Sequence, residues 1–442
     1  MRPGQKKIND SPIARWTVLF IVATAMMMGY FVNDVMSPLE AMLELPRSEG
    51  GLGWTPTDYG FFSGAGSFIN VFLLMLFFSG IILDKTGIRF TGTLACSLMV
   101  AGTLIKYYAV STAPTGEFFG LPMSVALASL GFAVFGVGYE MTGITVSKAM
   151  VRWFTGHELA LAMGLQLAMA RLGTAAALSI SAPIARHFML SAPLLLALAF
   201  LIIGLLAFLV FCVMDRRLDD AIGVSSSTDD NEEFHWSDIG VTLRSQGFWL
   251  ITLFCVLFYS AVSPFLKFST KLMVMKYGVD ADLAGFFSSI APFGTILLTP
   301  LFGYVYDRYG RGVTLVITGA LLLSAVHFGF SLPIHSSYVA ILLMVTLSVG
   351  YSLAPAALWP CVPKIIPLKC LGTAYSMIFF IQNFGRAIIP MLVGRANETD
   401  PTYTTSMLIF GCTALCATAV AVVMLIVDRR KGYGLQLPNI SE

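Results

Sequence analysis

Twelve runs of mostly apolar residues punctuate this 442-residue chain, and they limit its fold more than any other feature. About 20 such residues are enough for a helix to cross a hydrocarbon core. With breaks at charge clusters and Pro/Gly turns, the first-half runs lie near 16–40, 58–83, 90–111, 121–150, 157–187 and 192–214. Those of the second half lie near 246–276, 282–306, 312–333, 337–361, 369–396 and 402–427. Hydrophobic residues make up 57% of the chain and charged residues 12%. A soluble domain carries roughly twice that charge, so the solvent for most of this surface is lipid. Backbone polar groups in lipid must find internal partners, which makes the spans helices. The fold class is an all-α membrane protein of twelve transmembrane helices.

A polar stretch containing "SSSTDDNEE" separates two sets of six runs. It divides the chain into a bundle at 1–214, a linker at 215–244 and a second bundle at 245–442. With both termini inside, eighteen Lys and Arg fall on the cytoplasmic side, and four (Arg47, Arg186, Lys276 and Arg395) fall outside. That asymmetry satisfies the positive-inside rule. Five basic residues, Lys106, Arg171, Lys267, Lys271 and Arg386, are left in or near the membrane. Net charge is only +2, which gives no reason to expect a nucleic-acid partner. The cysteines and five histidines are scattered, so neither a metal site nor a cofactor is expected. No nucleophile or acid–base set points to an enzyme. Basic residues precede the first run without an A-x-A cleavage site, so that run reads as an uncleaved span.

The loop after run two reads "GIILDKTGIR" (Gly80 to Arg89), and the loop after run eight reads "GYVYDRYGR" (Gly303 to Arg311). Both follow G-x-x-x-D-[KR]-x-G with an Arg shortly after, six spans apart, which argues for two homologous six-helix halves. Gly80 and Gly303 would let helices approach closely, Asp84 and Asp307 could cap a neighbouring helix N-terminus, and Gly87, Arg89, Gly310 and Arg311 complete a gating motif. The pair resembles the signature of the major facilitator superfamily, which implies two pseudo-symmetric bundles rocking around a central site. Stretches in both halves, "YFVND" (Tyr30 to Asp34), "GLQLAMARLGT" (Gly164 to Thr174), "YSAVSPF" (Tyr259 to Phe265), "ALWPCV" (Ala357 to Val362) and "LGTAYSMIFFIQNFG" (Leu371 to Gly385), resemble the lysosomal dipeptide carriers of that superfamily.

Arg171 lies deep in an apolar run, where a guanidinium that cannot lose its proton costs at least a few kcal/mol. Glu140, in "GVGYEMTG", lies about fifteen residues before the turn near Thr155–Gly156 and Arg171 about fifteen after it. An antiparallel hairpin puts both roughly 18–21 Å from the cytoplasmic end. Two readings are open on the residues alone. The two charges could form a structural ion pair between spans four and five. Alternatively they are separate poles for a zwitterion, with Arg171 forking onto a carboxylate and Glu140 receiving an ammonium. The resemblance supports the second, since the carriers' charged pair matches these positions. With the cavity empty, the two could still pair with one another.

Further candidates are Asp34, as an amine or proton site or an outer-gate residue, with Tyr30 beside it. Tyr259, Tyr351, Trp359, Tyr375, Gln382 and Asn383 have polar tips on spans and could line the cavity. Pro264, Pro292, Pro355 and Pro390 interrupt second-half helices and would allow bending. Arg386 falls where the carriers have an apolar residue. Facing Arg171 it would make a two-cation site suited to an organic anion, which keeps a mono- or dicarboxylate exchanger as an alternative. Snorkelling suffices to explain Lys106, Lys267 and Lys271. The expected protein is a monomeric secondary transporter of dipeptides or small zwitterions in a lipid bilayer. With no acidic dileucine motif in the N-terminal stretch, a bacterial inner membrane is expected ahead of a lysosomal one.

Overall fold

The computed structural model describes residues 11–73, 75–154, 158–222, 240, 242–367 and 371–438. The 155–156 turn and most of the 215–244 linker, including "SSSTDDNEE", lie outside them. Eleven helices among the described residues are long and apolar enough to cross a membrane. The first half contains α1 (Pro12–Asp34), α2 (Glu40–Glu44), α3 (Pro56–Ala65), α4 (Phe68–Phe72), α5 (Met75–Thr112), α6 (Met123–Phe154), α7 (Leu159–His187) and α8 (Ala192–Ile222). The second contains α9 (Gln246–Met275), α10 (Ala281–Tyr309), α11 (Gly312–Ser331), α12 (Ser337–Leu358), α13 (Val362–Ile365), α14 (Leu371–Thr399) and α15 (Thr404–Lys431).

Local chemistry sets several of the boundaries. Thr55 and Asp58 form a capping box at the start of α3, and the Ser245 hydroxyl accepts from the Phe248 N–H at the start of α9. Each satisfies backbone donors that a helix start leaves without partners. The duplicated gating glycines do the same local job. Gly87 (φ 78°) turns the chain inside α5, so that span three follows span two with no loop. Gly310 (φ 69°) ends α10. Both occupy backbone space that a side chain would strain.

Two boundaries and the role of the prolines differ from the sequence reading. Run two is not one helix: it breaks at Gly66–Ser67 and again before Met75. The first break coincides with the crossing of α6, where a Cβ on Gly136 would meet the Gly66 carbonyl at 1.8 Å. Close backbone approach takes precedence there over helix continuity. α8 runs on to Ile222, because Asp215 is buried and held by Arg89, Arg152 and the Trp153 indole. The prolines expected to interrupt second-half helices (Pro264, Pro292, Pro355 and Pro390) instead sit inside helices that run through them.

Within the first half, α5 packs on α6 and α8, and α1 packs on α7 and α8. In the second, α9 packs on α14 and α15, and α12 on α10 and α11. The halves meet along two seams, α7 with α10 and α3 with α14. These seams are tightest at the end remote from the chain termini, here called the far end. A Cβ on Gly60 would lie 2.5 Å from the Pro390 carbonyl oxygen, and one on Gly285 would lie 2.1 Å from that of Leu178.

Ion pairs reinforce the same end. Lys267 joins Asp34 (2.7 Å), Lys271 joins Glu40 (3.3 Å) and Glu44, and Arg186 joins Asp282. Snorkelling is therefore overturned for Lys267 and Lys271, which cross the seam to buried acids instead of reaching for solvent. Lys106 does not snorkel either. It is 1% exposed, its ammonium donating to the Val32 carbonyl (3.3 Å) and sitting over Phe132 and Phe135.

At the termini end the gating glycines Gly80 and Gly303 have nothing within 4 Å of an added Cβ. The expected close helix approach is absent there, because the bundles are apart at this end. The side chain of Asp84 lies outside the described residues. Arg89 binds Asp219 (2.7 Å) within the first bundle. Arg311 (φ 60°) donates its N–H to the Gln436 carbonyl (2.7 Å), tying the chain end to the second motif. Asp307 lies in the last turn of α10.

Candidate substrate site

Between the bundles lies a cavity of about 750 Å³, running from mid-depth toward the termini end. Pockets for small ligands usually fall between ~300 and 1,000 Å³. Its walls are helical stripes. On α7 they are Gly164, Leu167, Ala168, Arg171 and Thr174, and on α6 Phe132, Gly136, Tyr139 and Glu140. Steps of three and four residues keep one helix face toward one neighbour, so the same periodicity brings Arg171 and Glu140 to a single space.

The two residues do not pair with each other, contrary to the expectation for an empty cavity. Arg171 donates to the Tyr351 hydroxyl (2.5 Å), and its guanidinium lies 4.9 Å from the centre of the Tyr351 ring. It has no carboxylate partner among the described residues. Glu140 accepts from Arg386 across the bundle interface (2.7 Å), with both side chains mostly buried. Arg386 therefore does not stand free beside Arg171, and among the described residues the expected two-cation arrangement is replaced by one cation without a carboxylate and one neutral pair. The physical reason is simple: a carboxylate within reach lowers the cost of a buried guanidinium.

Asp34 lines the far end of the cavity and is already engaged. Lys267 Nζ, Thr174 Oγ1 (2.9 Å) and Asn33 Nδ2 (3.0 Å) all donate to it. This favours the gate reading of Asp34. An aromatic wall also lines the cavity, where the Trp359 indole N–H donates to the Tyr259 hydroxyl (3.2 Å) and the Trp359 ring packs at a tilt against Phe379 (5.2 Å). Tyr30 packs on Tyr139 (5.0 Å), and both line the cavity. Pro264, Pro355 and Pro390 lie on the wall, and Gln382 joins them there. Pro292 does not.

Two residues read as lining are not on the wall. Asn383, 2% exposed, accepts from Ser67 (2.9 Å) and donates to the Phe379 carbonyl (2.9 Å), clasping the bundles at the break between α3 and α4. Tyr375 stands behind Trp359, its hydroxyl donating to the Trp359 carbonyl (3.4 Å). Asn383 lies beside the stripe of Phe379, Gln382, Arg386 and Pro390, whereas Tyr375 lies on its line, one turn before Phe379, with Trp359 against it. Tyr139 and Lys267 were missed as wall residues. The 132–136–139–140 spacing would have found Tyr139, whereas Lys267 needed the partner it meets on α1.

Two helical bundles closed at one end around a charged mid-depth cavity define a multi-pass membrane carrier. The chain belongs to the Major Facilitator Superfamily, whose family model matches residues 19–390. It is a transporter, not an enzyme. Among its relatives is the lysosomal dipeptide transporter MFSD1 of Bos taurus, 28% identical over 374 residues, covering 82% of this chain and 76% of that protein. The Danio rerio protein of the same name is 29% identical over 377 residues, covering 83% and 78%. Solved structures share the fold. A peptide transporter POT in complex with sulfate superposes with TM-score 0.69 at 14% identity, covering 95% of each chain. A D-xylose-proton symporter gives 0.70 at 12%, covering 92% of this chain and 97% of that one.

Proposed function

We propose that this chain moves dipeptides or similar small zwitterions across a membrane by alternating access. The observation that carries this reading is Arg171: a guanidinium on the cavity wall whose partners are a neutral hydroxyl and a ring, with no carboxylate among the described residues. Such a group has its two-pronged donor edge to offer to a carboxylate guest. Glu140, on the neighbouring helix of the same cavity, receives the peptide's ammonium once Arg386 gives way. The Tyr259–Trp359 wall takes side chains. Similarity to proteins named dipeptide transporters supports the same cargo.

The closed far end and parted termini end make the present state open to the side of the termini. The Lys/Arg asymmetry supports a cytoplasmic position for that side, and a bacterial inner membrane is the setting we propose. In reconstituted vesicles, labelled dipeptide enters with the wild-type chain and fails to enter with Arg171→Ala or Glu140→Ala. Unimpaired uptake by both folded variants would overturn the assigned site.

A further inference from the structure

The charge balance of the cavity goes beyond its capacity for a peptide and says which peptides fit. Among the described residues its wall carries five charged side chains: Asp34, Glu140, Arg171, Lys267 and Arg386. Four of them cancel in pairs across the interface, Asp34 with Lys267 and Glu140 with Arg386. One positive charge remains, on Arg171. Lys106 sits behind the wall against Phe132 and holds no carboxylate among the described residues, so any charge it carries has the same sign.

A zwitterionic dipeptide answers this arrangement incompletely. Its carboxylate satisfies Arg171, but its ammonium finds both wall acids already occupied. To reach Glu140 it must displace Arg386, and the freed guanidinium is then left without a partner in a mostly buried site, which is costly. A dipeptide with one acidic side chain leaves nothing over. The terminal carboxylate takes Arg171, the ammonium takes Glu140, and the side-chain carboxylate takes the released Arg386. A basic side chain would add a second cation to a cavity that is already positive.

We propose, resting on the dipeptide reading above, that Arg386 makes this site selective for dipeptides that carry one acidic side chain. The selective step is an exchange of partners at Glu140, in which the guest's ammonium replaces Arg386 and its side-chain carboxylate receives it.

The test uses the purified full-length chain in proteoliposomes and labelled Ala-Glu as tracer. Unlabelled Ala-Glu, Ala-Gln and Ala-Lys compete, Ala-Gln being nearly the same shape as Ala-Glu without the charge. The proposal expects Ala-Glu to compete roughly ten- to a hundredfold better than Ala-Gln, the range of one charge-assisted hydrogen bond, with Ala-Lys weakest. Arg386→Gln brings the Ala-Glu to Ala-Gln ratio close to one, and Arg386→Lys preserves a clear preference. Equal competition by Ala-Gln in the wild type overturns the proposal while leaving the dipeptide reading intact. So does a ratio that persists in Arg386→Gln. Failure of every dipeptide to be carried or to compete overturns the parent reading instead. A wild-type ratio near one overturns the proposal even if Arg386→Gln does not fold.

Discussion

Lys267→Met probes what keeps the far end shut, because it retains much of the side-chain stem and removes the ammonium. In the present state that ammonium donates to Asp34 at 2.7 Å and also to the Asn33 carbonyl. Removing one partner of a buried ion pair costs ~3–5 kcal/mol when the other is stranded. Asp34 is not wholly stranded, since Thr174 and Asn33 still donate to it. A net loss near the worth of one charged hydrogen bond, about 2–3 kcal/mol, is therefore expected. Both partners of the pair separate when the bundles part, so the loss falls on the closed state. It shifts the equilibrium toward far-end opening by roughly 30- to 150-fold.

Ser289 supplies the readout. It is fully buried in the α7–α10 seam, 3.0 Å from the Ser179 hydroxyl. In a chain whose native cysteines are replaced, Ser289→Cys reacts with a thiol reagent when that seam opens. Its labelling rate rises with the open fraction and increases by the stated factor on adding Lys267→Met. Adding Asp34→Asn as well brings the rate part of the way back, because no buried charge is then unpaired. A rate unchanged by Lys267→Met would refute the claim that this pair holds the far end closed.

Arg171→Lys keeps the charge but loses the planar fork, and initial uptake should fall at least tenfold, whereas Tyr351→Phe, which removes one neutral acceptor worth ~1 kcal/mol, should change it only severalfold. Gly60→Ala places a Cβ 2.5 Å from the Pro390 carbonyl; it should raise the Ser289→Cys labelling rate by wedging the α3–α14 seam. Gly303→Ala meets nothing within 4 Å in this state, so its thermal midpoint should be no lower than wild type, while transport falls because alternating access brings helices together at that glycine. Gly310→Ala forces a side chain into φ 69° against the Gln436 carbonyl at 2.5 Å, and should lower the thermal midpoint, with strain of ~1–3 kcal/mol.

The helical, lipid-embedded architecture was legible because lipid imposes length and apolarity on every span. The doubling was legible because "GIILDKTGIR" and "GYVYDRYGR" stand in equivalent places. Arg171 and Glu140 stood out for the same reason, since charge inside a run is expensive and conspicuous. Partners across the bundle interface were not legible. Nothing in the sequence joins Glu140 to Arg386, 246 residues away, or Asp34 to Lys267, 233 residues away. The three lysines were read as snorkelling because only the packed bundles reveal the acids and rings they meet. Asn383 sits one residue's rotation off the wall stripe, an angle that motif membership does not define, while Tyr375 is on the stripe's line but stands behind Trp359, a neighbour only the packed structure reveals. The break in run two was hidden because its cause, the approach of Gly136 on α6 to the Gly66 carbonyl, is a tertiary contact.

Dipeptide affinity with and without its terminal charge tests the central claim most directly. Binding of a dipeptide and of its C-terminal amide would be measured on wild-type protein and on Arg171→Gln. Amidation should weaken wild-type binding by roughly ten- to a hundredfold and leave Arg171→Gln nearly indifferent. An equal loss in both proteins would mean that the carboxylate lies elsewhere and that Arg171 does not receive it.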